Sequence, residues 1–202
     1  MAAGTTQKRK RASKPGRPRS EKARKAVMRS TLRLIREVGF HELTIEAVAA
    51  RARVGKATIY RWWPNKAELV IEVFASIIGE ELRFPTSPPV MESIHSQMRR
   101  WVPIFRTPLG QIVATVIGAG QSDPTILKAF QIHWVEPRRT EARRLLLEAI
   151  RQGELRFGLD PDLVLDLLYG PLYLRLLLKH APLDETFVDE VFDLVAPVLY
   201  AK

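Results

Sequence analysis

The feature that most constrains the fold is a succession of apolar segments with the length and period of α-helices. Each segment places apolar residues three and four positions apart, and prolines or glycines separate it from the next. The clearest interruption is the group Pro85, Pro88 and Pro89, after which the helical segments are 90–105, 108–119, 124–152, 161–179 and 185–200. We therefore predict an all-α protein with about nine helices in total.

Residues 44–63, TIEAVAARARVGKATIYRWW, predict two short helices joined by a tight turn. Thr44 is a suitable N-cap for the first helix, because its hydroxyl can accept a hydrogen bond from a first-turn amide. The second helix places Ile59 and Trp63 four positions apart on its buried side, and Pro64 ends it. Such a hairpin is either an ordinary piece of helical core or a helix-turn-helix that reads DNA.

The distribution of charge favours DNA. The chain has 202 residues and a formal net charge of +10. Residues 1–68 carry +13 of formal charge, whereas residues 69–202 carry −3. Neutralising DNA phosphates and releasing their counterions requires a localised basic surface of this kind. The sequence therefore predicts double-stranded DNA as a partner of the N-terminal third.

A more specific pattern surrounds the hairpin, and it consists of Gly39-Phe40, Thr44, Val54-Gly55-Lys56-Ala57-Thr58-Ile59-Tyr60-Arg61-Trp62-Trp63 and Lys66-Ala67-Glu68-Leu69. With this pattern, residues 24–70 resemble the DNA-binding domain of the TetR family of bacterial transcriptional regulators. Three positions depart from the family: Gly55 stands where Ser is common, Ala57 where Gly is common, and Trp63 takes the usual Phe position.

The resemblance implies a division of roles among the DNA-binding residues. It implies that the phosphate backbone is held by Thr44, Lys56, Tyr60 and Lys66. It also implies that base edges, or the adjacent sugar and phosphate, are faced by Thr58, Arg61 and Trp62. Arg61 is the candidate for guanine readout, since arginine binds the O6 and N7 atoms of guanine with two donors.

Three regions are expected along the chain: a flexible basic arm at 1–20, a helix-turn-helix domain at 21–65, and a larger helical domain at 66–202. The arm contains Arg17 and Arg19 within the run PGRPR, which resembles the core of an AT-hook that lays arginines into narrow minor grooves. The alternative is an electrostatic tail without groove preference, which also increases the salt dependence of binding.

The larger domain resembles the family's ligand-binding and dimerisation region only in the order of its helices. Large aromatic or adaptable side chains in its middle helices predict a pocket for a small-molecule effector. The predicted pocket residues are Met98, Trp101, Phe105, Phe130, His133, Trp134, Tyr169 and Tyr173. The alternative for each of them is plain hydrophobic core.

The last two helices are the most apolar and predict a homodimer interface. The predicted interface residues are Leu168, Leu172, Leu176, Val191, Val195 and Val198. A dimer is also expected because one recognition helix reads only a few base pairs, whereas a two-fold pair reads a pseudo-palindrome. The alternative is that both helices bury their apolar stripes within one subunit.

Other classes of function lack support in the sequence. The chain has no cysteine, no paired-histidine zinc motif, no glycine-rich phosphate loop and no nucleophile elbow. We predict no enzyme activity, cofactor, metal or membrane segment, and a cytoplasmic location.

The resulting hypothesis is a dimeric repressor released from a pseudo-palindromic operator by an effector. The alternatives are a low-specificity architectural DNA-binding protein, an activator, and an enzyme with an appended DNA-binding unit.

Overall fold

The computed structural model describes residues 20–85 and 89–201, and most of this chain is helical. In chain order its helices are α1 (Glu21–Glu42), α2 (Ile45–Ala52), α3 (Lys56–Tyr60), α4 (Lys66–Glu81), α5 (Val90–Phe105), α6 (Pro108–Gly120), α7 (Pro124–Phe130), α8 (Glu136–Gln152), α9 (Pro161–Leu178) and α10 (Glu185–Val195). A π-helical turn, Gln131–Val135, joins α7 to α8. With α7 to α8 counted as one continuous helix, the described chain has nine, so the predicted all-α fold is confirmed.

Helix α1 begins at a serine cap and is interrupted by a glycine. Ser20 has extended backbone, and its hydroxyl oxygen accepts a hydrogen bond from the backbone N–H of Ala23 at 3.3 Å. Gly39 has a φ of 77°, and one further turn continues to Glu42. A side chain would be strained at that φ, so the interruption depends on glycine. The carbonyl groups of the last turn are left for partners outside the helix.

Helix α4 connects the two parts of the described chain. We call α1–α3 the head and α5–α10, with the π turn, the body. α4 packs against α1 on one side and against α6, α7 and the π turn on the other. Most of its middle side chains are apolar, and the buried residues are Leu69, Val70, Ile71, Val73, Phe74 and Ile78. Burying each such side chain contributes about 1.5–3 kcal/mol, so α4 holds the head against the body.

The body is a helical bundle whose core is continuous with that of the head. α5 packs against α6, α8 and α10, and α9 packs against α6, α8 and α10. One cluster of buried hydrophobic side chains runs from Val27 in α1 to Leu199 after α10. The division of the chain at residues 65 and 66 therefore stays a prediction.

The π turn has a local cause in the sequence. Pro137 is the second residue of α8 and has no N–H to donate, and its ring would clash with the carbonyl four residues earlier in a regular α-helix. The backbone N–H of Glu136 instead donates to the carbonyl of Gln131, five residues back. The turn directs Trp134 into the core, where its side chain is fully buried.

Within the described residues, no single helix combines the length and hydropathy needed to cross a bilayer. Only α5 together with Gly110–Gly120 reaches the required length and hydropathy, and these two segments are bent by 91° relative to each other.

Gly110 and Gly118, both in α6, provide opposite tests of packing. A Cβ atom on Gly110 would lie 2.2 Å from the carbonyl oxygen of Phe105, whereas a Cβ on Gly118 would meet nothing within 4 Å. We expect Gly110→Ala to lower the free energy of unfolding by about 2 kcal/mol, because backbone must move. Gly118→Ala should raise it by about 0.5–1 kcal/mol through helix propensity. Chemical denaturation measures both, and equal effects would contradict the packing at Gly110.

Candidate nucleic-acid interface

The head contains the predicted helix-turn-helix. Thr44 caps α2 as expected, its hydroxyl oxygen accepting from the backbone N–H of Ala47 at 3.1 Å. Arg53 then adopts a left-handed conformation with a φ of 54°, and its N–H bonds to the carbonyls of Ala49 and Ala50. This single residue ends α2 and turns the chain, which lets α3 begin after Gly55.

The recognition helix α3 has one buried side and one exposed side. Ile59 and Trp63 are buried, as predicted, and fix the helix against the head. Lys56, Tyr60 and Arg61 are exposed on the other side. The regular helix ends at Tyr60 rather than at Trp63, although the N–H groups of the next turn still bond to the Ile59 carbonyl. The sequence placed its buried residues correctly and overestimated its length.

The predicted phosphate-contacting lysines both have partners within the protein. The Lys56 ammonium donates to Glu46 Oε1 at 2.9 Å, and this hydrogen bond raises the pKa of Lys56 and lowers that of Glu46. The Lys66 ammonium donates to the carbonyl oxygens of Phe40 and His41 at 3.0 and 3.3 Å. Lys66 therefore stabilises the end of α1 beyond its glycine break, a role that the sequence did not indicate. Their contacts with phosphate stay predictions.

Trp62 and Thr58 are less accessible than the sequence suggested. Both are half-buried, and the Arg24 guanidinium lies 5.4 Å from the centre of the Trp62 ring. Contacts of Trp62 and Thr58 with DNA stay predictions and would use only their exposed edges. The predicted minor-groove residues Arg17 and Arg19, and the rest of the arm up to residue 19, lie outside the described residues.

The structure adds an ionic network that joins the recognition helix to α4. Glu72, on α4, accepts hydrogen bonds from the Arg24 guanidinium and from the Trp63 indole N–H. The Arg24 and Glu72 side chains are only about a quarter exposed, at 27% and 23%. Arg24 lies 48 residues from Glu72 and Trp63 lies nine residues from it, in different elements, so no helical spacing predicts the network. The network sets the orientation of the recognition helix relative to α4.

Exposed basic side chains on α1 extend the positive surface of the head. They are Lys22, Lys25, Arg29, Arg33 and Arg36. Exposed guanidinium and ammonium groups of this kind are suited to phosphate groups.

Known proteins match this chain over nearly all of its length. Residues 27–73 match the family described as bacterial regulatory proteins, tetR family, and residues 89–195 match the tetracyclin repressor-like C-terminal domain. The chain belongs to the TetR family. The uncharacterized HTH-type transcriptional regulator YdeS of Bacillus subtilis is 35% identical over 89% of this chain and 90% of its own. The crystal structure of the TetR family transcription regulator SCO0332 superposes with a TM-score of 0.80 at 30% identity, over 89% of this chain and 99% of that one.

A third relative carries a functional description. The DNA-binding transcriptional repressor TetR of Mycobacteroides abscessus is 27% identical over 90% of this chain and 95% of its own. The chain is accordingly a helix-turn-helix transcriptional regulator, and membership in a family of such regulators confirms the prediction that it is not an enzyme.

The body of this TetR-family chain encloses an aromatic cavity. Its volume is about 100 Å³, and its walls are Phe84, Gln97, Trp101, Trp134, Val135, Arg138, Arg139, Ala142, Leu165, Tyr169 and Tyr173. Trp101 stands at the centre of the aromatic contacts, with ring centroids 5.3 Å from Trp134 and 5.9 Å from Tyr173. We call this space the aromatic cavity.

Four of the eight residues predicted for ligand binding line the aromatic cavity: Trp101, Trp134, Tyr169 and Tyr173. The other four do not line it. Met98, Phe105 and Phe130 are buried in the core, and His133 lies at a separate surface hollow. Gln97, Arg138 and Arg139 were not predicted. The available signal for Gln97 was its position on the apolar stripe of α5, one turn before Trp101.

Hydrogen bonds fix the polar groups of the aromatic cavity. The Gln97 Oε1 atom accepts from the Trp101 indole N–H at 2.9 Å and from the Tyr169 hydroxyl at 2.7 Å. The Tyr173 hydroxyl accepts from the Trp134 indole N–H at 3.1 Å. Burial raises the pKa of Tyr169 and raises that of Tyr173 to about 12. Both phenols are therefore protonated near neutral pH.

Most of the residues predicted for the dimer interface are buried within one protomer, and their contact with a second subunit stays a prediction. Leu168, Leu172, Leu176 and Val191 are buried within the protomer, because they form the inward stripe of the helices that pack on α5, α6 and α8. Val195 is half-buried and Val198 is exposed. The outward apolar residues of the same two helices are instead Leu163, Leu167, Leu174, Leu177, Leu178 and Leu194.

The ionic network of the head gives a stability test with a matched control. We expect Glu72→Ala to lower the free energy of unfolding by about 1–2 kcal/mol, because Arg24 and the Trp63 indole lose a half-buried partner. Glu37→Ala removes the exposed partner of Arg51, and should change the free energy of unfolding by less than about 0.5 kcal/mol. Urea denaturation compares the two variants, and equal losses would show that the network contributes no more than an exposed ion pair.

Proposed function

We propose that this chain is a dimeric transcriptional repressor that binds a pseudo-palindromic operator and leaves it when a small molecule occupies the aromatic cavity. The observation that carries the proposal is the recognition helix, held by buried Ile59 and Trp63 with Lys56, Tyr60 and Arg61 exposed. A helix fixed in this way can enter a major groove without rearrangement. The description of the M. abscessus relative as a repressor supports the sign of regulation.

Dimerisation is supported by the exposed apolar face of α9 and α10. Leu163, Leu167, Leu174 and Leu178 follow one another along α9 at helical spacing and are 48% exposed or more, and Leu194 on α10 is 80% exposed. Leaving so many leucines in water is unfavourable, and a two-fold interface would cover them. Two heads on one dimer would read half-sites separated by about 34 Å, one turn of DNA.

Communication between the aromatic cavity and the head has a short physical path. Trp134 forms a wall of the cavity, and its ring centroid lies 4.4 Å from that of Phe74 on α4. Glu72, on the same helix, holds Trp63 at the end of the recognition segment. A ligand that displaces Trp134 would therefore act on α4, and through α4 on the spacing of the heads.

Solved structures with a similar fold support a small-molecule effector. The Thermus thermophilus FadR, described as a transcriptional repressor in complex with lauroyl-CoA, superposes with a TM-score of 0.70 at 18% identity. The flavonoid-responsive regulator FrrA superposes with a TM-score of 0.63 at 23% identity. An architectural protein without an effector is the second candidate, supported by the strongly basic N-terminal third of the sequence.

Selection of binding sites from random duplex DNA at fixed salt distinguishes the two candidates. The regulator predicts an enriched inverted repeat with half-sites about one helical turn apart. Enrichment of A·T-rich tracts without a repeat would support the architectural protein.

Variants of the recognition segment test the division of roles. We expect Arg61→Ala to relax sequence choice at one base position in each half-site, at a cost of about 1–3 kcal/mol for the preferred base. Lys56→Gln should weaken binding to all sequences by a similar factor and reduce the salt slope by about one. Fluorescence anisotropy with the selected site and single-base variants measures both. Indistinguishable profiles for the two variants would contradict the assignment of Arg61 to base readout.

The dimer face is tested by placing charges on it. We expect Leu174→Glu combined with Leu194→Glu to produce monomers, because carboxylates would have to be buried unpaired at the interface. The control is Ile132→Glu, a half-exposed apolar position in the π turn, which should leave the dimer intact. Sedimentation velocity gives the mass of each variant. A dimer that persists in the double variant would place the interface elsewhere.

A further inference from the structure

The aromatic cavity contains a cation that the protein does not neutralise. Arg138 lies on α8, and its guanidinium carbon is 3.5 Å from the centre of the Trp134 ring. Its Nη1 donates to the Trp134 carbonyl at 2.9 Å, whereas its Nε is buried without a hydrogen-bond partner. Among the described residues no carboxylate lies within ion-pair distance of it. Burial lowers the pKa of Arg138 to about 10, so the group is still charged near neutral pH.

The neighbouring residue Arg139, in the same wall, has its charge neutralised by carboxylates. Arg139 also lines the cavity, but its guanidinium is paired with Asp162 at 2.8 Å and with Asp166. The chain therefore supplies two carboxylates to Arg139 and none to Arg138. Burial lowers the pKa of Arg138 by more than the negative charge of Glu141 raises it.

Among the remaining polar groups of the cavity, one hydroxyl proton is unused within the described chain. Both interactions of the Gln97 oxygen are with groups of the protein, Trp101 and Tyr169. The Tyr173 hydroxyl accepts from Trp134 and makes no other hydrogen bond within the described chain, so its proton is available to an acceptor. A ligand that satisfies this site brings a negative charge for Arg138 and an acceptor for the Tyr173 proton.

We propose that the aromatic cavity binds a small aromatic carboxylate, whose ring lies among Trp101, Trp134 and Tyr169 and whose carboxylate pairs with Arg138 and accepts from the Tyr173 hydroxyl. The volume of about 100 Å³ fits a single ring. Edge-to-face aromatic rings already line the space, and they favour a planar apolar body. This inference rests on the proposed function, since it names the chemical class of the effector.

Benzoate and its neutral isostere benzamide test the inference by isothermal titration calorimetry on the full chain. We expect benzoate to bind at least about tenfold more tightly than benzamide, because only benzoate neutralises the guanidinium. Arg138→Gln should abolish that preference. Arg144→Gln, an exposed arginine on the same helix, should preserve it. Cyclohexanecarboxylate, which has the charge but not the aromatic ring, should bind several-fold more weakly than benzoate.

A stability measurement keeps the test independent of misfolding. We expect Arg138→Gln without ligand to melt at or above the temperature of the unsubstituted protein, because it removes a buried charge with an unpartnered donor. Should that variant fail to fold, Tyr173→Phe retains the ring and removes one donor to the carboxylate. It should weaken benzoate binding several-fold and affect benzamide less.

Three results would overturn the inference: no binding of benzoate, equal affinities for benzoate and benzamide, or an Arg138→Gln variant that keeps the preference. Cyclohexanecarboxylate binding as tightly as benzoate would overturn its aromatic part. DNA binding is measured separately by anisotropy on the selected site. Specific DNA binding without benzoate binding contradicts this inference alone, whereas benzoate binding without DNA release contradicts the proposed effector mechanism alone.

Discussion

The burial of α4 is the interaction on which the rest of the structure depends. This helix is apolar on nearly every side, and it is covered by α1 in the head and by α6, α7 and the π turn in the body. A helix that is hydrophobic all round is stable only when surrounded, so neither part can leave it without exposing much apolar surface. The head and the body are therefore mechanically connected even though their functions differ.

The connection also explains why polar contacts lie in the first half of α4. At its beginning, Lys66 binds the carbonyls left open after the glycine break in α1, and nearly two turns later Glu72 holds Arg24 and Trp63. These contacts are directional, whereas apolar packing tolerates small rotations. Packing thus supplies most of the adhesion, and the polar contacts select one orientation of the recognition helix. A small displacement of α4 can change that orientation without unfolding either part.

Much of the architecture could be predicted from the sequence because its signals are local. The Thr44 cap and the proline-marked break between α4 and α5 act on their own neighbours, and both were located correctly. Features that depend on distant residues were missed. The Glu72 network and Arg138 are clear only once separate helices meet. The inward and outward stripes of α9 are both rich in leucine, so the sequence does not show which stripe is buried in the protomer. The residues predicted for the interface lie on the buried stripe.

The π turn has a consequence for the relation between chain length and ligand recognition. It holds one more residue per turn than an α-helix would, and each residue of an α-helix turns the following side chains by about 100°. The π turn absorbs one extra residue that, in a regular α-helix, would rotate α8 about its axis by that angle and carry Arg138 away from the aromatic cavity. A change of one residue in helix length that no such turn absorbs would therefore change which side chains of α8 face the cavity, without any substitution.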